Sequence, residues 1–359
     1  MFLEGQERLM STIFNKTNQK DFDFLIKNDQ LFTESGLPKN IFQTWEDNDF
    51  PTGMRKAMQS WQDLNPEWNY FFFTKEDRRA FIQAYFSKEI LDAYDDLLPG
   101  AYQADLWRYC VLYRYGGIYI DTKFTLHEPI DVWLQSDTNC IFVKDKFKKR
   151  AHKAYILQGF IVATAKHRVL KEAIDRSVRN IKNHDYGLDV LSITGPGVMG
   201  ESVNAILGRP IHNEIMPGVY TIDEDLVFSV IDAPDFKNNI TFSLYGHSCC
   251  FQMYKDYYKE RSIQSNVYQL SRDYGACWFR SKVFKNQKEQ IPNKSLFYKK
   301  NVKRFWRKHI INYYSSNQID IARNLFLHVL NSRLWSIKMF ISCVNSEVKI
   351  FIKSWSLFR

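Results

Sequence analysis

The stretch from Ala101 to Lys123 constrains the fold more than any other. Ala101 to Tyr115 contains neither Gly nor Pro and places Leu106, Tyr109, Cys110 and Tyr113 at i, i+3, i+4 and i+7, one face of a helix. Gly116-Gly117 supplies the stop, and Ile118-Tyr119-Ile120 follows as an apolar run ending in the charged Asp121. That apolar run reads as a buried strand whose far end is charged. Upstream, Leu37 to Trp45 reads as a strand and Glu46 to Thr52 as a loop. A helix spans about Gly53 to Leu64 and ends before Asn65-Pro66; a strand follows at Trp68 to Phe73, then a helix from Lys75 to Leu98. Strand, helix, strand, helix, strand between residues 37 and 121 predict an α/β domain with a mainly parallel central sheet.

Further on, Ile156 to Thr164 reads as a strand and Val169 to Ile181 as a helix. Ser192 to Gly197 is a loop, a helix runs near Met199 to Leu207, and short strands fill Ile211 to Trp278. From Phe326 to Trp355, apolar residues recur every three or four positions with Lys and Arg between them, the pattern of one long basic amphipathic helix or of two shorter ones. The expected organisation is a lead-in (1–36), an α/β domain (37–285) and a C-terminal helical extension (286–359).

Aromatic residues are 16% of the chain, enough buried surface to exclude a disordered protein. Lys294 to Arg359 holds 13 Lys or Arg against Asp320 and Glu347, a local net of +11. With the whole chain at +9, the first 293 residues carry −2. The extension therefore reads either as a helical cap or as a segment for an anionic membrane surface, with Phe326, Trp335, Phe340, Phe351 and Trp355 at the acyl boundary. With no recognition motif and a slightly acidic body, no nucleic-acid partner is expected.

The six cysteines show no CxxC spacing and the eight histidines no HExxH, so no structural zinc site is expected. GxxxxGK[ST] is absent, which excludes a P-loop enzyme. No run of 18 apolar residues occurs and Met1 to Lys20 has no apolar signal core. A cytoplasmic protein, peripheral at the inner face of the membrane, is the expectation.

In an open α/β sheet, ligands gather beyond the carboxyl ends of the strands. Asp121 and Lys123 lie there; read as an extended segment, residues two apart face the same side. Asp105 and Arg108, three apart, share a helix face. Two cations and two carboxylates at one strand end suit an anionic ligand rich in hydroxyls, phosphate to the cations and sugar hydroxyls to the carboxylates. The same four residues also make sense as an ion-pair network tying helix to strand. His247 and the acidic run Asp223-Glu224-Asp225 are further candidates, read first as surface features.

Ala104 to Asp121 (ADLWRYCVLYRYGGIYID), with Pro38 to Trp45, Trp61 and Asn65-Pro66, and Thr194-Gly195-Pro196, resembles glycosyltransferase family 32. These are the sugar-nucleotide transferases with a DXD sugar-binding region, and the set is also similar to the catalytic domain of clostridial glucosylating toxins. The matches run in order over residues 37–200. The resemblance implies a GT-A fold and transfer of a hexose or N-acetylhexosamine, with retention, from a UDP- or GDP-linked sugar to a glycan or lipid-linked acceptor. Surface polysaccharide or lipopolysaccharide synthesis is the implied setting. It further implies that Trp45 flanks the nucleobase, that Asp105, Arg108 and Tyr119 hold the donor, and that Trp278 closes over it; Trp278 reads equally as a core residue. Asp121 would be the first Asp of the motif and the ligand of a Mn2+ or Mg2+ ion. The sequence departs at Lys123, where the second, metal-ligating Asp belongs. Three readings stay open: an ammonium in place of the metal, a metal completed by another acid, or a binding protein that has lost catalysis.

Overall fold

The structure is a computed structural model. It describes residues 31–135, 139–145, 153–223, 226–232, 241–247, 249–260, 274–279 and 283–286. All of these fall in the first of the two units into which the chain divides, Met1–Gln290. The lead-in before residue 31 and the basic extension lie outside the described residues.

The strands are β1 (Asn40–Thr44), β2 (Asn69–Phe73), β3 (Gly117–Ile120), β4 (Phe124–Leu126), β5 (Cys140–Lys144), β6 (Phe160–Ala163), β7 (Gly218–Asp223), β8 (Leu226–Asp232), β9 (Thr241–Phe242) and β10 (Phe251–Met253). The helices are α1 (Thr52–Asp63), α2 (Lys75–Tyr85), α3 (Lys88–Asp96), α4 (Gly100–Tyr115), α5 (Ile130–Trp133), α6 (Arg168–Lys182), α7 (Pro196–Ile206) and α8 (Tyr274–Phe279). Among the described residues, seven strands form the central sheet in the order β2-β1-β3-β6-β5-β8-β7, and β4-β10-β9 form a second, small sheet. Pairing is parallel for β2-β1, β1-β3 and β5-β8 and antiparallel at β3-β6, β6-β5 and β8-β7. Five strands therefore point one way, and only β6 and β7 run against them. The expected α/β domain with a mainly parallel sheet is what the chain forms.

Two details differ from the sequence reading. The helix expected over Lys75 to Leu98 is two helices, α2 and α3, broken at Phe86-Ser87. Phe86 turns extended (φ −124°, ψ 163°) as its ring packs 5.9 Å from Phe81. The reversal lets Arg79 of α2 grip Asp95 of α3 at 2.7 Å. Helical periodicity could not reveal this break, because no Gly or Pro marks it. Second, α4 is not amphipathic in the ordinary sense: it is buried from Tyr102 through Leu112 on every side. It is a core helix between the sheet and its neighbours, which is why its charged residues carry information.

Gly116 (φ +64°) and Gly117 (φ +116°) turn α4 into β3. A Cβ on Gly117 would lie 2.5 Å from the Asn40 carbonyl oxygen of β1, so glycine is required both for the turn and for the close strand approach. That turn sends β3 back antiparallel to α4, bringing the N-terminal turns of α4 to the same edge as the C-terminal ends of β1 and β3. Beneath this edge, Ile41, Trp61, Ile118, Ile120, Phe124 and Phe251 form part of one hydrophobic cluster. The Trp61 indole donates to the Phe124 carbonyl at 2.8 Å, and Asn65 caps Trp61 while accepting from Ile130 N at 2.7 Å. These residues hold the polypeptide that follows β3.

Candidate active site

Asp121 is the first residue past β3, and Lys123 follows in a turn closed by Phe124 N–H to Asp121 O at 3.1 Å. The segment is a turn and not the extended strand end read from the sequence. The two side chains still meet, because the turn folds Lys123 back until Nζ is 2.5 Å from Asp121 Oδ2. Asp121 N donates to Gly159 O at 2.9 Å, and Tyr254 N to Lys123 O at 3.0 Å, so the turn is fixed on both sides. Asp105 and Arg108 share a face of α4 as expected, with Arg108 Nη1 3.2 Å from Asp105 Oδ1. Arg108 Nη2 lies 3.9 Å from Asp121 Oδ1. The structure thus brings all four charged residues together in the order Asp105, Arg108, Asp121, Lys123.

Tyr119 joins the two halves. Its hydroxyl donates to Asp121 Oδ1 at 2.9 Å and the Arg108 guanidinium carbon sits 4.3 Å above its ring. Arg108 Nη1 also donates to Gln158 O at 2.9 Å, while the Thr194 hydroxyl donates to Asp105 Oδ2 at 3.1 Å. Gln158 further bonds Tyr109, whose hydroxyl donates to Thr194 O at 2.7 Å. Arg108 Nε is buried with no hydrogen-bond partner among the described residues. A buried guanidinium donor left unmatched is costly unless a ligand completes it.

Two carboxylates in one site have been driven apart. Burial pushes Asp105 up to about 6, against the pull of Arg108 and the Thr194 hydroxyl. Burial would raise Asp121 as well, but Lys123, Arg108 and the Tyr119 hydroxyl together hold it down, at about 2. Asp121 therefore stays charged at neutral pH, and Asp105 lies closest to exchange with a ligand's proton.

These residues do not fit a divalent metal. Such an ion takes several oxygen ligands. Asp121 offers one carboxylate, already flanked by the Lys123 ammonium and the Arg108 guanidinium, and no group of three or more His, Cys, Asp or Glu suited to a metal occurs here or elsewhere among the described residues.

Gln158 and Gly159 were not singled out from the sequence. One signal was there: a glycine inside a strand pattern marks close backbone approach. A Cβ on Gly159 would lie 2.8 Å from Asp121 Oδ2. Trp45 follows β1 at the same sheet edge; β1 pairs with β3 at Phe42↔Tyr119, which puts the ends of the two strands about one strand spacing, ~5 Å, apart. The Trp45 indole N–H is buried with no hydrogen-bond partner among the described residues. Trp278 is 3% exposed and its indole donates to Tyr186 O at 2.7 Å, which makes it a packed core residue in this structure. His247 pairs with Glu128 at 3.1 Å in a turn, and Asp223 with Arg168 at 2.5 Å on the exposed end of β7; Glu224 and Asp225 lie outside the described residues.

Residues 51–139 match the family described as "Glycosyltransferase sugar-binding region containing DXD motif". The match contains Asp105, Arg108, Asp121 and Lys123, which the chain places on a mixed α/β fold. Among curated relatives, the initiation-specific alpha-1,6-mannosyltransferase of Candida albicans is 24% identical over 212 residues, 48% of this chain and 55% of that protein. Inositol phosphoceramide mannosyltransferase 2 of Schizosaccharomyces pombe is 41% identical over 110 residues, 30% of this chain and 31% of that protein. The chain thus spans about half or less of the length of these relatives. Among solved structures, the PaToxG glycosyltransferase aligns at 15% identity with a TM-score of 0.36, over 48% of this chain and 70% of that one, too loosely to bear on function.

Proposed function

We propose that the chain is a hexosyltransferase that moves a sugar from a nucleoside-diphosphate donor to a hydroxyl of a glycan or lipid-linked acceptor, with retention at the anomeric carbon. The observation that carries this is the alternation Asp105, Arg108, Asp121, Lys123, with the unmatched Arg108 Nε among them. In transfer, the bond from the anomeric carbon to phosphate breaks and charge grows on the departing diphosphate. Arg108 and Lys123 meet that charge as fixed cations, a role worth about 10²–10³ in rate for a well-placed donor. Asp105 and Asp121 accept sugar and ribose hydroxyls, Trp45 flanks the base, and Tyr119 keeps Arg108 and Asp121 in register. No protein nucleophile is assigned.

In this reading the Lys123 ammonium does the work that a metal does in D-X-D relatives: it brings positive charge to the diphosphate without needing ligands of its own. The relatives named above are mannosyltransferases, so mannose is the first sugar to test, on GDP and on UDP. The same names support a glycan or lipid-linked acceptor, and the basic extension suits one at an anionic membrane surface on the cytoplasmic side. No described helix is long and apolar enough to cross a membrane.

A second reading, a nucleotide-sugar-binding protein without turnover, is favoured by one observation, the Lys123 contact that occupies Asp121 Oδ2. The test is a panel of UDP- and GDP-sugars with acceptor glycans or glycolipids, each in manganese and in EDTA. Turnover that survives EDTA supports the transferase with a lysine in the metal's place. Turnover only in manganese removes that role from Lys123. Donor binding without transfer to any acceptor supports the second reading.

A further inference from the structure

Arg78 of α2 is 1% exposed, yet it touches none of the four charged residues above. A buried guanidinium is tolerated only where its charge and donors are matched. Here they are matched by three consecutive residues at the end of β1. Nη1 donates to Thr44 Oγ1 at 2.6 Å and to Trp45 O at 3.1 Å, and Nη2 donates to Glu46 Oε1 at 2.8 Å. Nε reaches the Tyr94 hydroxyl of α3 at 3.4 Å. The same tripeptide is tied to the end of β2: Thr44 Oγ1 donates to Phe73 O at 2.6 Å and Trp45 N to the same oxygen at 3.2 Å.

The far end of the clamp is α4. A Cβ on Gly100, the first residue of that helix, would fall onto the Glu46 carboxylate, so an alanine there would push Glu46 from its place. One buried cation therefore locks Thr44-Trp45-Glu46 to α2 on one side, while Glu46 is pressed against the helix that carries Asp105 and Arg108 on the other.

We propose that Arg78 is a positioning residue for the nucleotide end of the donor. It fixes the height and tilt of Trp45 relative to the diphosphate-facing cations through Thr44 and Glu46, and itself touches no substrate. The proposal rests on the donor-site reading given above. Lysine in place of Arg78 keeps the charge but, as a point donor, cannot fork to three residues.

The experiment titrates UDP and GDP by calorimetry into wild type, Arg78→Lys and Gly100→Ala, with melting temperature and donor kinetics measured beside each. The expected result is about tenfold weaker nucleotide binding and a matching rise in KM in both variants, with kcat at saturating donor within about threefold of wild type. Gly100→Ala perturbs the clamp from its far end by pushing the Glu46 carboxylate aside, and affinity is compared for both variants well below their melting temperatures, so that a loss of binding is not a loss of fold. Wild-type affinity in both folded variants, or a loss confined to kcat, overturns the role of Arg78. A folded wild type that binds neither UDP nor GDP overturns the donor-site reading, a failure recognisable because it appears before any substitution.

Discussion

Replacing Lys123 with Asp tests whether the ammonium stands where a metal ligand belongs. Lys123 Nζ is 2.5 Å from Asp121 Oδ2, and the two side chains are 20% and 24% exposed. Unit charges about 4 Å apart interact by about 4 kcal/mol at an effective dielectric near 20. The substitution removes the attraction and installs a repulsion. Relaxation and proton sharing between neighbouring carboxylates reduce the net cost to about 3 kcal/mol. At roughly 2–4 °C per kcal/mol, Lys123→Asp should melt about 6–12 °C below wild type in EDTA. The new carboxylate beside Asp121 gives a divalent ion the oxygen donors it now lacks. Manganese at about a hundred times its dissociation constant would then restore about 2.7 kcal/mol to the variant and leave wild type unchanged. The assay is a melt of both proteins across a manganese titration, with EDTA as the zero point, and donor turnover followed in parallel. Two results refute the reasoning: a variant that melts like wild type in EDTA, or a wild type that manganese stabilises as much as the variant.

Other predictions bear on the same site and on its support. Asp121→Asn should lower transfer by about 10³-fold or more in a protein that still folds but melts several degrees below wild type, because Lys123 and Arg108 lose their shared carboxylate; activity against the best donor, measured well below the melting temperature, checks it. Gly159→Ala places a methyl 2.8 Å from Asp121 Oδ2, which Lys123 holds from the other side. It should raise KM for the donor at least about fivefold with little change in stability, measured by steady-state kinetics. His167 is buried between Phe142 and Phe228, and neither ring nitrogen has a hydrogen-bond partner among the described residues. Burial first, and Arg168 second, hold its pKa at about 4, below the ordinary 6.5. Protonation therefore favours the unfolded chain: the stability is whole above pH 6.5 and falls as pH drops toward 4. At pH 5 the loss is about 2 kcal/mol, and His167→Phe should abolish it in urea melts compared at pH 7.5 and pH 5.

Much of this was legible in the sequence because it depends on short-range order. Asp105 and Arg108 had to share a face once Ala101 to Tyr115 was a helix, and Gly116-Gly117 had to turn that helix into β3. Asp121 and Lys123 meet at the strand end through the turn closed by Phe124, not through the extended geometry that the sequence predicts. Gln158, Gly159 and Arg78 were not found. Gln158 and Gly159 lie 50 and 38 residues from the side chains they support, Arg108 and Asp121, and Arg78 lies 32 from Glu46; contacts at such separations leave no periodicity.

The α/β class, the helix-turn-strand unit with its charged end, and the departure of Lys123 from D-X-D are readable before folding, because each is written in local pattern or in the identity of one residue. Tertiary structure decided the rest. It set β6 and β7 against the other strands and broke α2 from α3 without a glycine or proline to announce it. It buried Trp278 on Tyr186, and it put an ammonium 2.5 Å from the motif's carboxylate. The physical reason is that burial and ion pairing depend on which elements meet. A chain fixes those meetings only by filling its whole core at once.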